Sequence, residues 1–403
     1  MAELDLSSIE CYFKQETVPG TPETGAGATG LELLSGSQGF GPNVAEIATE
    51  MINNSLMADR SRQGSEFFPW SADTELSIDN CDEILEAVVG GTWAPEDTIS
   101  NTEMGAVVIS GSGTIITFAS GNLASEGGVP GGSLRFTGLS VVANDGKPFP
   151  IVTLSANGRV VTTEPGILAD NASDVAYSLI IEKKVHTATP YLKRAFTMEH
   201  YLRDIDRSLR ASYFVFNGIT LTLQADKKIK VGIKGAASKL ELLATAASPN
   251  FTSATFPSGE SLVMLDGAIL FNGVPRVNLS SFNFTLEGAV AGNPRLTTRQ
   301  SAKPYLSQFK LSGQFTGEVA DGADFDSFRA EDQVQVMIRM KEQSATPLTA
   351  RHKTITFPNM SFGNWSLPMA GEGAAIQTVT MNGGRDKRGG VHPLTSMIVS
   401  GTS

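Results

Sequence analysis

The stretch Phe67-Phe68-Pro69-Trp70-Ser71-Ala72-Asp73-Thr74-Glu75-Leu76-Ser77-Ile78-Asp79 alternates apolar and polar side chains. Trp70, Ala72, Thr74, Leu76 and Ile78 fall on one face, and Ser71, Asp73, Glu75, Ser77 and Asp79 on the other. A period of two marks a strand with one buried face. A helix signal follows directly. Asn80 with Glu83 three residues on fits a capping pattern, Ile84, Leu85, Val88 and Val89 make one apolar stripe, and Gly90-Gly91 ends it. Upstream lie a short apolar run, Leu31-Glu32-Leu33-Leu34, and a long polar excursion from Ala45 to Glu66. The unit reads strand, long loop, strand, helix, an architectural piece whose loop is built to touch something else.

The chain has 403 residues, 41 of them Gly, with 7% aromatic and 18% charged residues. That length suggests two or three domains. Short β-branched and aromatic runs punctuated by Gly, Asn, Asp and Pro predict a mainly β fold. The low charged fraction fits extensive subunit contacts and fits a large ordinary β protein equally well. Net charge is −11. Residues 1–110 hold 19 acidic side chains against Lys14, Arg60 and Arg62, while the remainder is slightly basic. This asymmetry predicts one acidic surface, which repels phosphates and argues against ordinary DNA binding. It leaves room for a surface past which DNA slides without sticking.

Cys11 and Cys81 are too far apart in sequence to suggest a disulfide framework or a metal motif. No leader and no apolar run of membrane-spanning length stands out, so folding in a reducing cytoplasm and no membrane partner are expected. His186, His200, His352 and His392 are scattered, and no GxSxG, HExxH or phosphate-loop sequence occurs. Glu199-His200 with Asp204 and Asp206 resembles a metal cluster only on paper, because strand neighbours point to opposite faces. Asp321, Asp324 and Asp326 lack calcium-loop spacing and read better as acidic helix-start residues. The expectation is a non-enzyme without cofactor or metal.

Residues 1–30 read as a mobile arm of turn-rich and Gly-Ala composition. Residues 31–103 and 189–382 read as one β-sandwich, and 104–188 as a small β-barrel or sandwich inserted into it. In that insert, Asn144-Asp145-Gly146 and Asn157-Gly158 are hairpin signals. Glu199 to Leu209 is helix-compatible but reads as strand plus loop, and 236–258 as a surface loop. Strand, long loop, strand, helix recurs at 277–331, either by duplication or by chance. Residues 383–403 read as a second arm packing on a neighbour, or as a frayed terminus. Ile47, Met51, Ile52, Leu56 and Met57, with Arg60 and Arg62, are an unusual set for a solvated loop. They fit cover by another subunit, or local packing.

Several features in order resemble the tail tube (major tail) proteins of long-tailed, non-contractile bacteriophages. They begin with Glu16-Thr17-Val18-Pro19-Gly20-Thr21-Pro22 before Leu31-Glu32-Leu33, Asp59-Arg60 to Gly64, and Glu75-Leu76-Ser77. The Asp82 to Val89 helix with Gly91-Thr92-Trp93 carries most weight. Arg194-Ala195-Phe196-Thr197-Met198-Glu199, Leu311-Ser312-Gly313-Gln314-Phe315-Thr316-Gly317, Phe357-Pro358-Asn359 and Gly371-Glu372-Gly373 follow. The resemblance covers the chain outside 104–188. It implies a β-sandwich with a flanking helix, whose strands join those of neighbours into an inter-subunit β-barrel. Homohexameric rings would stack into a tube that guides the tape measure protein and then double-stranded DNA, between tail terminator and tail tip proteins, with the insert outside. The loop holding Ile47 to Arg62 would reach the next ring, and Asp73 and Glu75 would line the bore as a negative wall. A glycan-binding or adhesive β protein of a virion or cell surface is the alternative.

Overall fold

The computed structural model describes residues 8–402 except 36, 38, 42, 48–61, 258, 293–297, 301–302, 320–321, 343–349 and 369–374. The protein is mainly β. Its central sheet is antiparallel and takes six strands in the spatial order β1, β3, β2, β4, β5, β6. These are β1 (Arg62–Glu75), β2 (Arg207–Gln224), β3 (Lys230–Ala237), β4 (Leu279–Ala291), β5 (Tyr305–Glu318) and β6 (Ile376–Gly383). Most of each strand follows the period of two, which bulges interrupt in β2 and β4. Trp70, Ala72, Thr74 and Leu76 are buried while Ser71, Asp73 and Glu75 are not, as the alternation requires.

The inner face packs against a second layer and against helix α1 (Asp82–Val89). The second layer holds strands Ala268–Phe271, Gln333–Lys341, His352–Ser366, Ile398–Gly401 and Lys183–His186. Edge-to-face rings join the layers: Phe284 on Phe357 at 4.6 Å and Phe271 on Phe315 at 5.4 Å. Helix α1 buries Ile84, Leu85, Val88 and Val89, and Gly90 closes it in the left-handed conformation. Its start departs from expectation. Cys81 is the N-cap residue, and Asn80 turns back to accept the Ser77 N–H at 3.0 Å, holding the strand-to-helix turn.

The chain ends also depart from expectation. Ile9–Gln15 and Gly25–Leu31 are paired strands rather than a loose arm, joined to Phe196–Leu202 and Phe251–Thr255. Gly30 serves close approach, since a Cβ there would lie 2.6 Å from the Phe256 ring, while Gly25 and Gly27 adopt positive φ. The 236–258 region, expected as a loop, contains strands Lys239–Leu242 and Phe251–Thr255. The tail folds onto its own chain, with Ile398–Gly401 seated between Lys183–His186 and His352–Thr356 and wholly buried. Within 277–331, β4, β5 and a helix at Ala323–Ala330 repeat the strand, loop, strand, helix order.

A second hydrophobic cluster, from Ile99 to Ile181, lies between a four-stranded and a five-stranded sheet. It starts earlier than residue 104 because Asp97–Ser100 pairs with Ser178–Ile181, and it ends before Lys183. The Asn157-Gly158 turn closes a hairpin between Thr153–Leu154 and Val160–Thr162. The seam with the second layer combines an apolar contact, Val152 with Leu270 and Met337, with polar ones. Thr356 donates to the Gly131 carbonyl at 3.0 Å, Ser133 N–H donates to Ser400 at 3.1 Å, and Arg339 grips Glu164 through two nitrogens.

Two buried charges generate predictions. Lys353, 1% exposed, meets Asp82 at 2.8 Å, and Lys183 meets the other carboxylate oxygen at 2.9 Å. Breaking such a buried pair costs about 3–5 kcal/mol because a charge is left unpaired. Asp82→Asn is expected to destabilise by that amount in denaturant titration, and Lys353→Met added to it should recover part of the loss. Glu182 is wholly buried at the seam, with Arg135 Nε 3.0 Å away. Burial pushes its carboxyl up to about 7, Arg135 opposing and Glu96 adding to the rise. The folded state therefore holds a proton that the unfolded chain releases near 4.5. This contribution is complete below that pH and is lost as pH rises through about 7. Glu182→Gln should flatten the fall in melting temperature across that window; an unchanged fall would refute the assignment.

Candidate functional site

The outer face of the central sheet is the candidate site. Strand registers align its residues across six strands: Asp73 beside Gly232, Gly232 beside Thr220, Thr220 beside Thr285, Thr285 beside Ser312 and Ser312 beside Asn382. One register row away run Glu75, Lys230, Thr222, Asn283, Gln314 and Thr380. The centre is therefore carpeted by short hydroxyl and amide side chains, with Thr220 and Thr285 hydroxyls 3.1 Å apart. Such groups are hydrated but present neither a cation for phosphate nor an apolar surface for a ring.

Charges lie toward the margins of this carpet; three lysines are paired, and Lys310 of β5 stands exposed across from Glu287. Lys230 meets Asp73 at 2.8 Å, Lys228 meets Glu75 at 2.6 Å, and Lys234 meets Glu287 at 2.8 Å. Ser261 also donates to Glu75 at 2.5 Å. The hydrogen bonds from Lys228 and Ser261 hold the Glu75 carboxyl below its ordinary value. Asp73 and Glu75 thus sit on the exposed side of β1, as the alternation predicts. They do not form a negative wall within this chain, because each has a lysine from β3 or from the turn before it.

The same holds for several neighbouring carboxylates. Asp79 pairs with Arg351, Asp82 with Lys183 and Lys353, and Glu86 with Arg194. Folding thus offsets part of the charge asymmetry of the sequence, since partners from distant segments meet these carboxylates. Separately, Glu199 and His200 diverge as strand neighbours must. Glu199 accepts the Asn250 and Phe251 N–H groups at 2.6 and 2.9 Å, and His200 accepts Trp70 Nε1 at 3.0 Å. Asp324 is held by Arg276 and Gln377.

Of the loop residues singled out in sequence, Ile47 ends the strand Asn43–Ile47, where its backbone pairs with Arg62, and Arg62 is exposed. Met51, Ile52, Leu56, Met57 and Arg60 lie outside the described residues, as do Asp321 and the Gly371-Glu372-Gly373 motif. Two hairpins project at this end of the sheet, one formed by Asn43–Ile47 with β1 and one by β4 with β5. They touch: the Glu66 N–H donates to the Arg299 carbonyl at 2.7 Å, and Arg299 pairs with Glu66 at 3.0 Å. Residues missed in the sequence are Lys228, Lys230, Lys234, Thr220 and Thr222. Their signal was present in the alternating Lys228-Ile229-Lys230-Val231-Gly232-Ile233-Lys234.

The motif after α1 also acquires a structural account. Gly91 passes so close to the strand Lys183–His186 that a Cβ would lie 2.2 Å from the His186 carbonyl oxygen. Trp93 Nε1 donates to the Asp82 carbonyl at 3.1 Å, and Lys183 stands over the Trp93 ring at 5.5 Å. This clasp fixes the helix against the layer behind the polar face.

A comparison with curated proteins gives no match. The family model described as phage tail tube protein matches residues 8–382, nearly the whole chain including the inserted sandwich. Taken with the β architecture, the flanking helix and the polar sheet face, this match shows that the chain belongs to the phage tail tube protein family.

Proposed function

We propose that this chain is the repeating subunit of a virion tail tube, closing into homohexameric rings that stack and conduct the genome from capsid to host. The observation that carries this reading is the outer face of the central sheet. It is broad, polar and nearly charge-balanced, which suits a wall that DNA and the tape measure protein must slide along. Joining strand edges between neighbouring copies removes unpaired backbone groups while building a barrel round the bore. Asp73 and Glu75 then line the lumen together with their lysines. The loop from Ile47 to Arg62 makes the inter-ring contact. Tail terminator and tail tip proteins would meet the tube ends, after assembly in the host cytoplasm.

The inserted sandwich belongs outside in this arrangement. Its seam is made with Thr354, Thr356 and Ser400 of the second layer, on the side of the core away from the polar face. The glycan-binding alternative gains nothing from this domain, because Phe118, Phe136, Phe149 and Tyr177 are all buried in its core.

Asp73→Lys with Glu75→Lys removes two carboxylates and strands Lys228 and Lys230 beside two new cations. The wall becomes adhesive to phosphate. Virions carrying both changes should keep their tubes and eject DNA severalfold more slowly, with the defect largest at low ionic strength. Ejection at the normal rate would contradict the lumen assignment.

A further inference from the structure

The strand Gln333–Lys341 turns its two faces to different surroundings. Val334, Val336, Ile338 and Met340 enter the main core, so Gln333, Gln335, Met337 and Arg339 point the other way. That side receives the inserted sandwich, where Met337 packs with Val152 and Arg339 holds Glu164. Beside this seam the same face lines a cavity of about 650 Å³, shared with Asn272, Asn359 and the tail segment 384–388. That volume is in the range of a small-molecule pocket. Gln335 is 7% exposed. Its backbone is engaged both ways: its N–H donates to Asn272 Oδ1 at 2.8 Å, and its carbonyl accepts the Asn272 N–H at 2.8 Å. Its side-chain amide has no hydrogen-bond partner among the described residues. A buried amide in that position calls for a group to bind.

The charges lining the cavity do not balance. Asp386 is buried and taken up by Arg388, whose Nη2 and Nε reach its two oxygens at 2.7 and 3.0 Å. Arg385 donates to the Leu394 carbonyl at 3.2 Å and to Thr189 at 3.0 Å, and neither it nor Lys387 meets a carboxylate among the described residues. We propose that this cavity binds a phosphorylated polyol, with the phosphate on Arg385 and Lys387 and the hydroxyls on the amides of Gln335, Gln333 and Asn359. A phosphomonoester carries nearly two charges at neutral pH, matching two cations. An amide offers both a donor and acceptors, as a hydroxyl requires. No aromatic ring is among the described residues that line the cavity, so a nucleobase has nothing to stack on. A neutral sugar would leave both cations unmatched. The inference is independent of the tube reading: the site faces away from the polar face of the central sheet, beside the insert.

The test is titration calorimetry of the full chain at low salt, with glycerol monophosphate, inorganic phosphate and glycerol as probes. The monophosphate should bind saturably and more tightly than inorganic phosphate, and glycerol should not bind. Lys387→Ala removes an exposed side chain, should keep the wild-type melting temperature and should weaken binding about tenfold, the worth of one charge-assisted hydrogen bond. Gln335→Leu should bring the affinity for the ester down to that for inorganic phosphate, which it should leave unchanged. Glycerophosphoglycerol separates a free ester from the repeat of a polymer: its diester carries one charge and should bind more weakly than the monoester. Absence of saturable binding, equal affinity for inorganic phosphate, tighter binding of the diester, or undiminished binding by Lys387→Ala would each overturn the site while leaving the tube reading intact.

Discussion

The constraint on which the rest depends is the period of two that runs through six adjacent strands. An antiparallel sheet can bury only one face against a single core, so the opposite face must satisfy water. Here the buried side is a continuous aromatic and aliphatic layer that includes Phe214, Phe282, Phe284, Phe315 and Val379. A one-residue slip in any strand would turn such residues into solvent. The polar face is therefore not an ornament added to the fold. It is the complement of the core, and its breadth follows from the number of strands the core requires.

What the polar face is made of is a separate matter. Alternation demands polar residues but not these ones. Thr, Ser, Asn and Gln occupy its centre, and lysines stand beside carboxylates at its margins. Exposed pairs of this kind add little to stability. Their consequence is electrostatic: no unpaired run of either sign is left to hold a polyanion or to repel it strongly. Sequence position conceals this, since the partners of Asp73 and Glu75 are more than 150 residues away.

Much of the fold was legible because local patterns decide it. The 67–79 alternation, the α1 stripe with its Gly90 stop, and the Asn-Gly hairpin of the insert are short-range signals, and the structure follows them. The failures came where partners decide. Gly25–Leu31 has linker composition, yet flanking strands recruit its backbone, for which side-chain chemistry gives no sign. Met397 to Val399 shows its apolar character in sequence, but only the fold reveals that its cover is the chain itself. Net charge by segment leaves out the ion pairs that join distant segments, such as Asp73 with Lys230 and Asp79 with Arg351. For the candidate site, the carboxylates were readable and the lysines that neutralise them were overlooked.

A helical reconstruction of assembled tubes by cryo-electron microscopy tests the central claim most directly, because it fixes the orientation of one face. The account predicts six-fold rings whose bore is lined by Thr220, Thr285 and the Asp73–Lys230 and Glu75–Lys228 pairs, with the Ile99–Ile181 core on the outside. Tubes whose bore is lined by any other face, or protein that remains monomeric under all assembly conditions, would contradict it.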